Sequence, residues 1–132
     1  MFNHQISDLV SRIKNGSLAK KSIIVSPYSK IRESILLILK NEGYITSYTK
    51  LKNGSNVIEN IEIHLKYHGY DPVVNDISVI SKPGRKVYSK SSAIPVVKNG
   101  LGLVILSTHK GLLPDYEARS LGLGGELLLK VF

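Results

Sequence analysis

Two helical periodicities followed by a run of strand patterns predict an α+β fold of two small subdomains packed together. The first has two helices and a short sheet; the second is mainly antiparallel β with one short helix. Ile6, Leu9, Val10 and Ile13 recur at the i, i+3, i+4, i+7 spacing of an amphipathic helix, and Asn15-Gly16 supplies its stop. Ile23-Ile24-Val25 reads as a short strand, and Pro27 leads to Ser29, the N-cap of a longer helix. Ile31, Ile35, Ile38 and Leu39 mark the buried face of that helix and Gly43 its C-terminal end. Tyr44 to Leu51 and Val57 to Tyr67 follow as strands joined by a turn at Lys52-Asn53-Gly54, because Asn-Gly favours the positive φ of tight hairpins. Ile61, Ile63, Leu65 and Tyr67 alternate with Glu62, His64 and Lys66, which gives that strand one core face and one solvent face.

The turn Gly69-Tyr70-Asp71-Pro72 marks the boundary between an N-terminal α+β subdomain, 1–68, and a mainly β subdomain, 69–132. Strand patterns in the second half cover Val73 to Ser81, Arg85 to Tyr88, Leu101 to Thr108 and Glu126 to Phe132, with a short helix from Pro114 to Leu121. No internal repeat or low-complexity segment interrupts this order.

Composition limits the function classes. The 132 residues are 42% hydrophobic and 21% charged, the balance of a folded domain able to bury a core. The absence of cysteine excludes a disulfide framework and a thiolate zinc site. No apolar stretch approaches the ~20 residues that span a bilayer. Asn3, His4 and Gln5 do not suit a signal peptide, and an intracellular location is expected. A net charge of +8 points to a polyanionic partner, nucleic acid or an acidic membrane surface. Between Asp76 and Asp115 the chain carries Lys82, Arg85, Lys86, Lys90, Lys98 and Lys110 without one acidic residue.

Three motifs carry the chemistry. The apolar run Leu103-Val104-Ile105-Leu106 passes directly into Ser107-Thr108-His109-Lys110-Gly111, where hydroxyls and a cation meet at a turn. Short donors and acceptors of this kind suit the shallow minor groove of RNA, which presents 2′-hydroxyls and base edges; the plain alternative is hydroxyls satisfying a turn. Gly122-Leu123-Gly124-Gly125-Glu126 follows a helix and opens a strand, the reverse of a phosphate loop, and has no Walker lysine. Its glycines leave room for another backbone to come close. Lys82-Pro83-Gly84-Arg85 has the proline and glycine of a type II turn, and Lys86, Tyr88 and Lys90 make it a cationic corner with an aromatic. Tyr88 reads equally as a base-stacking ring or as a core residue exposing its hydroxyl.

These motifs, with the Asp8 to Gly16 helix and the stretch Ser29 to Gly43, resemble the small-ribosomal-subunit protein eight family in its bacterial form, nearly end to end. The resemblance implies the same two-subdomain fold and an RNA-binding structural protein without catalysis, cofactor or metal, lying in the cytoplasm within the small ribosomal subunit. It implies that Ser107, Thr108, His109, Lys110 and Gly111 enter an RNA minor groove. Glu126 then makes a polar contact near the RNA, Gly124 and Gly125 permit the approach, and Tyr88 turns toward RNA beside Lys82, Arg85 and Lys86. Two positions depart from the family pattern: His109 stands where a small hydroxyl residue is usual, and Pro114 where a threonine or serine caps the following helix. Proline is tolerated at the first helical position, so the helix is expected to persist. In the first half, Arg12, Lys14, Ser29, Lys30 and Arg32 are candidate phosphate contacts, on polar helix faces or at a helix start.

The implied partners are the central domain of 16S rRNA, small-subunit proteins five and twelve, and the protein's own operon messenger as a target of translational feedback; no membrane or small-molecule substrate is implied. A generic basic RNA-binding module is the alternative, with little discrimination between RNAs. A hydrolase built on Ser107, His109 and Glu126 lacks a nucleophile elbow. His64 and His68, four apart on a strand without a third ligand, read as surface histidines.

Overall fold

The computed structural model describes residues 2–132, which divide into two units, Phe2–Asn75 and Asp76–Phe132. In the first, helix α1 (Phe2–Leu18) buries Ile6, Leu9, Val10 and Ile13 as their spacing requires. It runs through Asn15-Gly16 instead of stopping there. A Cβ on Gly16 would stand 2.7 Å from Ile24 Cγ2 and 3.1 Å from Leu65 Cδ1, so the glycine serves close packing. The helix closes where Lys20 turns to φ 55 and Lys21 N–H reaches Gly16 O at 3.0 Å.

Strand β1 (Ile23–Pro27) leads to α2 (Lys30–Asn41), capped by Ser29, whose Oγ accepts the Arg32 N–H at 3.2 Å. Ile35, Leu36 and Leu39 form its fully buried line, while Ile31 and Ile38 are half-buried at the margins. Gly43, φ 81, ends the helix as expected. Strands β2 (Ile45–Lys52) and β3 (Ile58–Leu65) form an antiparallel hairpin, and β1 joins the other side of β3. The connecting loop differs from the Asn-Gly turn. Asn53 Oδ1 accepts the N–H groups of Ser55 and Val57 at 2.8 and 3.1 Å, and Asn56 rather than Gly54 takes positive φ. An Asx-type cap thus organises the loop.

A small ladder of β4 (Tyr67–His68) and β5 (Asp71–Pro72) follows, with Gly69 at φ 66 in its turn. Val73 N–H bonds Lys66 O at 3.0 Å. The Gly69–Pro72 turn therefore belongs to the first unit, and the division falls after Asn75 instead of at 68/69.

The second unit is a sheet in the order β6-β10-β8-β9, with β7 beside the first half of β10. Its strands are β6 (Ile77–Val79), β7 (Tyr88–Ser89), β8 (Leu103–Thr108), β9 (Gly111–Pro114) and β10 (Gly125–Val131). Every pairing is antiparallel. Helix α3 (Asp115–Leu121) follows β9. A core of Ile94, Val104, Leu106, Ala118 and Leu127 lies on one sheet face, with Ile80, Val87, Val97 and Leu113 against it. A bulge at Leu128 shifts register between Leu127↔Leu106 and Leu129↔Ile105. Strand β9 has no clear sequence signal: it is four residues ending in proline, tolerated because β9 lies at the sheet edge. Pro114 occupies the cap position of α3, not its first turn, and gives no side-chain cap. The buried Asp115 follows and pairs with Arg119 at 2.8 Å.

Candidate nucleic-acid interface

The β8–β9 hairpin turns tightly. Thr108 and Gly111 pair across it, leaving His109 and Lys110 exposed at the tip and Gly111 at φ 99. Thr108 Oγ1 donates to Gly111 O at 2.8 Å and accepts the Lys110 N–H at 3.2 Å. Its proton is thus used to shape the loop. Ser107, half-buried at the strand end, makes no side-chain hydrogen bond to the described residues.

Register places Ser107 opposite Glu126 and Glu126 opposite Tyr88. Directly paired residues project to the same sheet face, so a hydroxyl, a carboxylate and an aromatic ring line up across β8, β10 and β7. Tyr88 is 67% exposed, which resolves its two readings against the core. Glu126 Oε2 is buried without a hydrogen-bond partner among the described residues, a state that costs free energy until a donor arrives.

The glycines beside Glu126 act within the sheet. A Cβ on Gly125 would overlap the Ser107 carbonyl, and one on Gly124 the Ser89 carbonyl. Both admit the neighbouring strands themselves, and that close approach fixes the row. A hollow of about 460 Å³ opens beside it, lined by Tyr88, Ser89, Lys90, Ser91, Gly122 and Gly124. Of its lining, Tyr88, Lys90, Gly122 and Gly124 fall in motifs visible in the sequence, whereas Ser89 and Ser91 do not.

Ser81 anchors the cationic corner, a role its sequence context does not announce. Its buried Oγ donates to Leu127 O at 2.6 Å and accepts the Val87 N–H at 3.0 Å. The turn beyond has type II form, with Gly84 at φ 77 and the Arg85 N–H on Lys82 O at 2.9 Å. Lys82, Arg85, Lys86 and Lys90 are all exposed around it.

The first unit's candidates separate. Lys14 and Lys30 lie exposed on α1 and at the start of α2. Ser29 is committed to its cap. Arg12 gives Nε to Asp8 Oδ2 at 2.7 Å and Nη1 to Val25 O at 2.9 Å. Arg32 is not on a polar face: it is 5% exposed, with Nη1 on Asp8 Oδ2 at 2.7 Å and on Ser26 Oγ at 2.6 Å. Burial pushes the Asp8 carboxyl up, but the hydrogen bonds and charges of Arg32 and Arg12 outweigh it and hold the group below its ordinary value. The helical positions of these residues were readable; the partner Asp8, distant in sequence from Arg32, was not.

The model of the family described as ribosomal protein S8 matches residues 4–132. The chain belongs to the ribosomal protein S8 family. It is 47% identical over 127 residues to the small ribosomal subunit protein uS8 of Rhodospirillum centenum, covering 96% of each chain. The uS8 protein of Rhodopseudomonas palustris strain BisA53 is 48% identical with the same coverage. That of Erythrobacter litoralis is 45% identical over 96% of this chain and 95% of its own.

The S8 family is structural and non-enzymatic. In this S8 chain, Ser107 and Glu126 are neighbours across strands, whereas His109 stands at the exposed hairpin tip. His64 Nε2 lies 3.0 Å from Glu62 Oε1 and His68 is exposed on β4; among the described residues no three metal-binding side chains gather. No helix among the described residues is long and apolar enough to cross a membrane.

Proposed function

We propose that this chain is a structural constituent of the small ribosomal subunit that binds directly to the central domain of 16S rRNA and helps that domain to assemble. The observation carrying the proposal is the row Ser107–Glu126–Tyr88, with the unpartnered Glu126 Oε2 at its centre. Turning outward, the Glu126 carboxylate takes the donor this oxygen lacks from a ribose hydroxyl or a base amino group, and the Ser107 hydroxyl reads an adjacent group in the minor groove. Tyr88 stacks on a base or ribose. Lys82, Arg85 and Lys86 on one side and His109 and Lys110 on the other meet phosphates, giving affinity without sequence information. Gly111, Gly124 and Gly125 hold the strands in register, and Thr108 holds the loop. Lys14, Lys30 and the outer edge of Arg12 add phosphate contacts from the first unit, with Ser29 setting the helix start.

The names of the relatives, small ribosomal subunit proteins, support this reading. The same surface binds a similar structure in the protein's own operon messenger, and the assembled neighbours are small-subunit proteins five and twelve.

The test is a titration at controlled salt against a central-domain 16S rRNA fragment and an unrelated hairpin of equal length. Tight binding to the first alone is expected. Equal, weak and steeply salt-dependent binding to both would reduce the protein to a generic basic RNA-binding module.

A further inference from the structure

On the sheet face of the second unit that carries Val104, a hollow of about 450 Å³ opens between the end of β10 and the segment leading into β8. Its walls are aliphatic, from Ile80, Val96, Val97 and Val104, with Phe132 at one side and two cations, Lys98 and Lys130. Lys98 Nζ stands 4.6 Å from the centre of the Phe132 ring, and attraction to the π face holds the ammonium there. Val96 is 58% exposed. No acidic side chain among the described residues lines the hollow.

The surrounding segment is preformed. Lys98, Asn99 and Gly100 all take positive φ, at 49, 54 and 89°. Gly102 N–H returns to Val97 O at 3.0 Å, and Arg119 Nη2 ties Pro95 O at 2.8 Å. A fixed apolar depression with a cationic edge therefore exists before anything binds, which lowers the ordering cost of association.

We infer that this hollow docks an acidic segment of a partner protein that inserts an aliphatic side chain flanked by carboxylates. The apolar walls take the side chain, and Lys98 and Lys130 take the carboxylates, the arrangement of an interface centre within a polar rim. Nucleic acid fits less well: base stacking needs open aromatic faces, and the one ring lining the hollow has Lys98 over a face. The inference is independent of the RNA assignment, because Val104 and Ser107 project to opposite faces of β8.

The test uses the full chain and a fluorescein-labelled peptide, Gly-Asp-Glu-Leu-Glu-Asp-Gly, with a control carrying lysine at each acidic position. Saturable anisotropy with the acidic peptide alone is expected, with amide shifts at Val96, Val97, Val104, Lys130 and Phe132. Val96→Asp and Lys130→Glu should each weaken it about tenfold while retaining the parent's thermal melt and affinity for the central-domain rRNA fragment. No saturable binding, equal binding of the lysine peptide, or shifts elsewhere would overturn the inference. Loss of rRNA affinity in either variant would also overturn it, by assigning this face to RNA.

Discussion

Ser107 and Thr108 are adjacent hydroxyls with different work. Thr108 bonds across its own hairpin, so Thr108→Ala is expected to cost about 1 kcal/mol of stability in urea unfolding, with a secondary loss of RNA affinity. Ser107→Ala should leave the unfolding midpoint unchanged and weaken cognate RNA by about 1 kcal/mol or more. The reverse pattern would exchange their roles. Gly125 is stricter still. A methyl group there must displace the Ser107 carbonyl, and backbone in a paired strand yields poorly. Gly125→Ala is therefore expected to destabilise by about 3 kcal/mol, read from the urea midpoint, with RNA binding falling in parallel. The sequence placed Gly125 at a close approach; it could not say that the approaching group is the protein's own strand.

At the scale of elements, the long periodic segments were legible. The buried faces of α1 and β3 follow from spacing alone, and Ser29 and Gly43 bracket α2 as their chemistry predicts. What escaped depends on partners remote in the chain. Gly16 looked like a stop because its packing against Ile24 and Leu65 is invisible locally. Asn53-Gly54 looked like a tight turn because the competing cap by the Asn53 side chain leaves no mark on composition. The row Ser107–Glu126–Tyr88 needed the register of three strands, and register is a tertiary quantity. Arg32 read as polar surface because Asp8 and Ser26 meet it only in the folded unit.

That network makes a pH prediction. The folded Asp8 carboxyl is held below its ordinary value of 3.8, so its contribution is present above that value and is lost as pH falls through the lower folded one. Urea midpoints of Asp8→Asn measured from neutral pH into the acid range should show a shallower acid decline. The variant's midpoint should also be lower at neutral pH, where the buried Arg32 is left short of a counter-charge. A parallel decline in both proteins would remove Asp8 from the acid response.

For the whole molecule, the +8 charge is the long-range term. Neutralising Lys82, Arg85 and Lys86 to glutamine should flatten the dependence of log K on log salt by about 0.7 to 0.9 per lost phosphate contact. An unchanged slope would move the electrostatic footprint elsewhere. The fold class was legible at this scale because periodicity and motif order survive without coordinates, as does the net charge on which the RNA proposal draws.

The bulge at Leu128 determines what β10 can tolerate. Glu126 and Lys130 are four apart, a spacing that in a regular strand would put both on one face. Because the bulge adds a residue between them, Glu126 pairs with Ser107 and Lys130 with Val104, on opposite faces of β8. Straightening the strand with every residue kept would send the carboxylate or the ammonium to the wrong side and drive a leucine outward in exchange, whereas deleting the extra residue would leave both pairings in place. In this strand the count of residues matters more than letters: a point substitution alters one contact, whereas drawing the extra residue into regular pairing would scramble two surfaces at once.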